Sequence, residues 1–163
     1  VVKRSKPKKA RFCMRWGDLT KSFLLLVVVS GFLSCASKEK KAEAHFRKGF
    51  EYQNQGNLEQ AIEEYQKALE LNPNYAQVHT NLGTVYLGKG DYDGAIGHFK
   101  KTLELNYYDS KAHYNLGLSY VYKGELEKAK EEMKFLKSIR SELGDALEKK
   151  IEEKEKAEEP ESE

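Results

Sequence analysis

Three histidines, His45, His79 and His113, stand 34 residues apart. Histidine is the commonest protein ligand for zinc, so an evenly spaced trio raises the question of a shared ion. The stretch GKGDYDGAIG, Gly88 to Gly97, raises a second question, because glycine-rich turns can cradle phosphate. Cys35 raises a third: it follows the apolar run FLLLVVVSGFLS, and charge begins three residues later at Lys38. What chemistry any of these can do depends on the elements that hold them.

The histidines are one column of a longer pattern. At the same spacing stand Gly49, Gly83 and Gly117, then Tyr52, Tyr86 and Tyr120, then Gly56, Gly90 and Gly124. Ala61, Ala95 and Ala129 come next, and after them Tyr65, Phe99 and Met133. Six columns in one register define a repeat with copies at 42–75, 76–109 and 110–143. Each column has a physical reading as part of a helix pair. The glycines at 49, 83 and 117 let a second helix approach the first closely. The tyrosines fall three residues later on the same face and fill the groove between helices. Gly56, Gly90 and Gly124 sit where the first helix must stop in a left-handed cap. The alanines begin the buried face of the second helix.

This pattern resembles the tetratricopeptide repeat, and the resemblance implies an all-α fold. The expected architecture is a right-handed solenoid of three helix pairs plus a C-terminal capping helix. Pro73 closes the first repeat as the family expects, whereas Tyr107 and Ser141 replace it later, so repeat boundaries are expected to weaken toward the C-terminus. Thr102 and Leu136 stand where repeat one has the small Ala68, which predicts less regular packing there. Leu143, Leu147 and Ile151 form one apolar stripe, with Ser141 as N-cap, and predict a capping helix over 144–154. The charged segment 155–163 is expected to be a disordered acidic tail.

The repeat answers the first two questions. Stacked helices lie roughly 8–10 Å apart, whereas zinc ligands must each come within about 2 Å of the ion. The histidine column is therefore read as packing, in keeping with its aromatic character in the family, and His98 as standing alone. GKGDYDGAIG aligns with QGNLEQAIE and KGELEKAKE, which makes it an inter-helix turn and not a phosphate loop. No nucleophile, base and orienting group follow from the repeat. A binding protein without metal, cofactor or catalytic residues is expected, in preference to a hydrolase.

The family resemblance also implies a ligand groove along the first helices. Carried over by repeat position, it would be lined by Phe46 and Phe50, then Thr80, Asn81, Thr84 and Leu87, then Lys111, Tyr114, Asn115, Leu118, Val121 and Tyr122. Family members that grip acidic chaperone tails use a clamp of Lys, Asn and Arg; Asn81 and Lys111 match it, but Phe46, Phe50 and Asn115 do not. The lining instead suits an apolar or aromatic segment, with Asn81 and Asn115 bonding its backbone. Phe46 and Phe50 have an alternative use in covering the edge of the array.

Charge separates the leader from the body. Residues 1–35 hold eight of the 28 Lys and Arg and one of the 26 Asp and Glu, giving +7, so the remainder carries −5 of the net +2. The apolar run is too short for a span of about 18 residues or more and reads as a signal segment, 14–34, with residues 1–13 as an over-extended start. Phe32, Leu33, Ser34 and Cys35 resemble the lipobox of bacterial lipoproteins. That resemblance implies lipidation of Cys35, a tether over 35–41, and outer-membrane sorting through Ala36. An ordinary cleaved signal and an uncleaved anchor are the alternatives. The expected protein is an envelope scaffold, like the tetratricopeptide lipoproteins that support type IV pilus or secretin assembly. Its partners would be a protein segment and the membrane, not nucleic acid. A soluble periplasmic adaptor and a cytosolic co-chaperone adaptor are the competing functions.

Overall fold

In the computed structural model the described residues are 37–158, and they form seven helices without a strand. The described part of α1 runs over 37–54. After it come α2 (Leu58–Leu71), α3 (Ala76–Gly88), α4 (Tyr92–Leu105), α5 (Ser110–Lys123), α6 (Leu126–Ser138) and α7 (Leu143–Glu158). Among these residues no helix is long and apolar enough to cross a membrane. The start at 1–13, the signal segment 14–34 and Cys35 lie outside the described residues, as does 159–163.

The repeat columns account for the architecture, an all-α solenoid of helix pairs. Gly56, Gly90 and Gly124 adopt φ of 79°, 78° and 84°, a left-handed conformation in which a side chain would be strained. The amides after them reach back to the tyrosine column: Asn57 to the Tyr52 carbonyl at 2.9 Å, Asp91 to Tyr86 at 3.0 Å and Glu125 to Tyr120 at 2.9 Å. These bonds satisfy carbonyls that the ending helix leaves unpaired. The second helix then packs back on the first. A methyl group at Gly49 would lie 2.7 Å from the Tyr65 ring, and one at Gly83 the same distance from Phe99.

Ala61, Tyr65, Ala68, Val78, Leu82 and Val85 form one buried cluster around the first two repeats. A second joins Ala95, Phe99, Leu116, Tyr120, Ala129 and Leu136 to Leu147 and Ile151 of α7. Tyr86 packs against both. Leu147 is fully buried, a contribution of about 1.5–3 kcal/mol from covering the last repeat. Gly117 faces Leu147, so the third repeat receives α7 where the first two receive an aromatic ring.

Four expectations change. The tether over 35–41 is helical from residue 37, because Lys38, Glu39 and Lys40 are good helix formers and Ala42 behind them is fully buried. The acidic tail is helical through Glu158, where Lys130 pairs with Glu155 at 2.9 Å and Lys154 with Glu158 at 3.0 Å. The boundary at Tyr107 is as sharp as that at Pro73: Asn72 and Asn106 end their helices at nearly equal angles, φ −139° and −144°. The change comes one repeat later, where Arg140 takes the left-handed position at φ 55° and the Ser141 amide bonds the Leu136 carbonyl at 2.9 Å. Thr102 is also regular, being fully buried with its hydroxyl 3.2 Å from that of Thr80.

Two helical glycines with opposite surroundings test this packing. Gly83→Ala should destabilise the protein by about 1–3 kcal/mol in urea unfolding, because the Phe99 ring must move. Gly97→Ala, where nothing lies within 4 Å, should stabilise it by about 0.5–1 kcal/mol. Equal effects at both sites would show that helix approach is not the constraint.

Candidate peptide-binding groove

The first helices α1, α3 and α5 carry the groove positions. Phe46 is half-buried, its ring 6.1 Å from Tyr65 and 5.4 Å from Tyr75, so it serves the edge of the core. Phe50, one turn on, is 47% exposed with its ring 6.5 Å from Phe46. Thr84 is exposed, while Leu87, Tyr114, Asn115 and Leu118 are half-buried and Lys111 is exposed. Tyr122 is 52% exposed and stacks on Tyr92 of α4, centroids 5.7 Å apart.

Two predicted positions are drawn inward. Val121 is only 4% exposed and belongs to the core cluster that includes Leu147 and Ile151. It is therefore removed from the groove, because α7 covers that side of α5. Thr80 turns its hydroxyl to Thr102 and to the Ala76 carbonyl at 3.1 Å, which commits it to the α3–α4 contact.

Asn81 is oriented by a relay across three helices. Its side-chain amide donates to the Tyr65 hydroxyl at 3.1 Å, and that hydroxyl donates to Gln53 at 2.7 Å. Burial raises the Tyr65 pKa, with the Asn81 bond opposing it. Tyr75 is pushed up to about 12, by burial first and then by its bond to Glu43. Lys150 of α7 is exposed and donates to Glu153 at 2.8 Å, and that hydrogen bond raises its pKa.

The histidine column forms a ladder with the second helices. His45 Nδ1 lies 2.7 Å from Glu64, His79 Nδ1 lies 3.1 Å from His98 Nδ1, and His113 Nδ1 lies 2.6 Å from Glu132. Glu64, His98 and Glu132 are themselves 34 residues apart. On the other edge of the ring, His79 Nε2 donates to the Pro73 carbonyl at 3.0 Å and His113 Nε2 to Tyr107 at 2.9 Å. These bonds pin the turn between repeats whether or not it holds a proline. His98 is thus not solitary: it fills the acidic rung of repeat two. It stacks on Tyr86 at 5.4 Å, and aligning the acids at 64 and 132 is the signal that reveals it. Because His79 donates from Nε2, its Nδ1 accepts from His98. Burial first, then the neighbouring His79, lowers the His98 pKa, with Asp91 opposing. The Glu64 carboxyl is held at about 2: burial would raise it, but hydrogen bonds from His45, Lys48 and Lys67 outweigh that.

Comparison with known proteins finds the same repeats and fold. Models described as TPR repeat and tetratricopeptide repeat match residues 49–90, 76–106 and 110–142. The Arabidopsis OM64 TPR domain is similar at 17% identity and TM-score 0.66, covering 71% of this chain and 98% of that one. The first TPR of Spaghetti (RPAP3), solved bound to the HSP90 peptide SRMEEVD, is 24% identical at TM-score 0.65, covering 71% and 93%. At such identities the likeness is one of fold. A crystal structure of MamA protein is 28% identical at TM-score 0.57, covering 76% of this chain and 61% of that one. Uncharacterized protein MJ0572 of Methanocaldococcus jannaschii is 53% identical over 36 residues, 22% of this chain and 42% of its own length. The chain thus spans under half of that curated relative.

The middle rung makes stability depend on pH. A histidine whose pKa is lowered in the fold adds stability that is complete above the ordinary value of about 6.5 and drains as pH falls through the lowered one. The wild-type urea midpoint should therefore drop between about pH 8 and about pH 5.5. His98→Glu, which recreates the His–Glu rung of its neighbours, should lessen that drop. Identical pH slopes in both proteins would remove His98 from this role.

Proposed function

The chain is a tetratricopeptide-repeat protein, and on that premise we propose that it is a scaffold whose first helices hold an apolar or aromatic segment of a partner protein. The repeat fold is a protein- and peptide-binding scaffold. The observation that carries the finer reading is the exposed aromatic surface of Phe50 and Tyr122 at either end of the groove, with half-buried Leu87, Tyr114 and Leu118 between them.

The solved neighbours that bind chaperone peptides suggest the alternative of an acidic ligand. Charge argues against it here. Of the clamp positions only Asn81 and Lys111 match, and one donor of the Asn81 amide is held by Tyr65. Phe46 and Phe50 would set rings where an acidic tail needs ammonium groups.

The setting we propose is the bacterial envelope. The apolar run before Cys35 and the charge after it support a lipid-anchored scaffold on the periplasmic face of the outer membrane, aiding assembly of a complex such as a type IV pilus or secretin. Few residues of sequence separate Cys35 from the first repeat, so the groove would work close to the bilayer. Lys38, Lys40 and Lys41 on that first turn can meet anionic headgroups.

Two measurements decide between these readings. Binding of SRMEEVD should be weak and indifferent to Lys111→Ala, whereas photocrosslinkers at Phe50 and Leu118 should capture an apolar or aromatic segment; Lys111-dependent binding of the acidic peptide would reverse the assignment. Mass spectrometry of the mature protein should find an acylated Cys35 at the N-terminus. A free terminus at another residue would make this a soluble adaptor.

A further inference from the structure

A second surface lies among the second helices, away from the groove positions. A cavity of about 520 Å³ opens between α4 and α6, with Leu103 and Leu116 giving it apolar walls and Tyr107 and Phe135 its aromatic sides. The two rings meet edge to face at 5.2 Å. Tyr107 is 58% exposed and the adjacent Tyr108 70%, the largest apolar exposures among the described residues. Phe135 also packs on the His113 ring at 4.0 Å, so the ladder holds the aromatic wall in place.

The charges around this cavity are unequal. Glu104, Glu131 and Glu132 line it against a single Lys100. Lys100 lies 5.9 Å from the centroid of the Tyr120 ring, a favourable site for its ammonium. Glu104 is partly answered by Lys101 at 2.7 Å and Glu132 by His113. Glu131 pairs with no cation among the described residues. An acidic cleft with aromatic sides favours a cation that is flat and weakly hydrated, because such a group can stack on rings while its edge donates to carboxylates.

We infer that the cleft between α4 and α6 docks an arginine-bearing segment of a partner protein, its guanidinium against Tyr107 and Phe135 and its charge met by Glu131 and Glu104. Lysine fits less well, since its compact, strongly hydrated ammonium gains less from the rings. A second copy of this chain is a poor source of the cation. The only arginines among the described residues are Arg47, bound to Glu43 at 2.8 Å, and Arg140, in the left-handed turn position. The inference does not rest on the groove reading; it gives the scaffold a second, chemically distinct contact.

The test uses the full chain in detergent micelles and the end-blocked peptide Gly-Leu-Arg-Leu-Gly, with twins carrying lysine or citrulline. Amide NMR shifts should saturate at Leu116, Glu131 and Phe135 with the arginine peptide. The citrulline twin, and the Glu104→Gln/Glu131→Gln variant with the arginine peptide, should each bind about tenfold more weakly. Phe50→Ser should leave this binding unchanged, which separates its failure from failure of the groove. Equal binding of the citrulline peptide, shifts confined to the groove, or no saturable shift at millimolar peptide would overturn the inference. So would self-association in sedimentation that Tyr108→Ser abolishes, because the occupant would then be a second copy.

Discussion

The solenoid depends on a missing side chain. Where α1 and α3 meet their second helices there is room for an aromatic ring only because Gly49 and Gly83 have no Cβ. The ring then takes the space against which the next repeat packs, since Tyr65 shares its cluster with Val78 and Leu82 of α3. One small residue therefore sets the angle within a pair and, through the ring it admits, the contact between pairs. At Gly117 the same space receives Leu147 from α7, so the array ends by substituting an aliphatic knob for the ring.

The histidine ladder acts on the same joints from the other side. Each buried ring at 79 and 113 ties a turn carbonyl six residues back to a partner on the second helix nineteen residues ahead. This explains why Tyr107 can stand in the proline position. Proline fixes one φ and removes a donor, but the carbonyl that the histidine grips belongs to the backbone and is present in any residue. The turn geometry is held by the ladder as well as by the proline, and the position is freed to expose a tyrosine.

Periodicity makes the fold legible. A column of glycine, tyrosine or alanine reports a constraint that recurs identically in each repeat, and all three columns are caps, grooves and buried faces in the structure. The features that escape it are those in which one repeat differs from its neighbours. His98 looks solitary as long as the acids at 64 and 132 are not placed in a column with it. The α6–α7 turn gives no sign of itself because Arg140 carries a conformation usually signalled by glycine. The helical extension to Glu158 carries one ion pair to α6, Lys130–Glu155, and one within α7, Lys154–Glu158, and charge composition alone reads the same whether such partners exist or not. Among the groove residues, composition identifies the aromatic lining, but which members are spent on packing depends on contacts across helices, as Thr80 and Phe46 illustrate.

The fate of one column shows how the cap shapes recognition. Gln53, Leu87 and Val121 occupy equivalent positions, half-buried in the first two repeats and buried in the third. Val121 shares its buried cluster with Leu147 and Ile151 of α7, the helix that covers the last repeat. A helix that covers the apolar end of the array thus goes with one exposed candidate position fewer in repeat three. The groove proposed above would then be aromatic at both ends, through the exposed Phe50 and Tyr122.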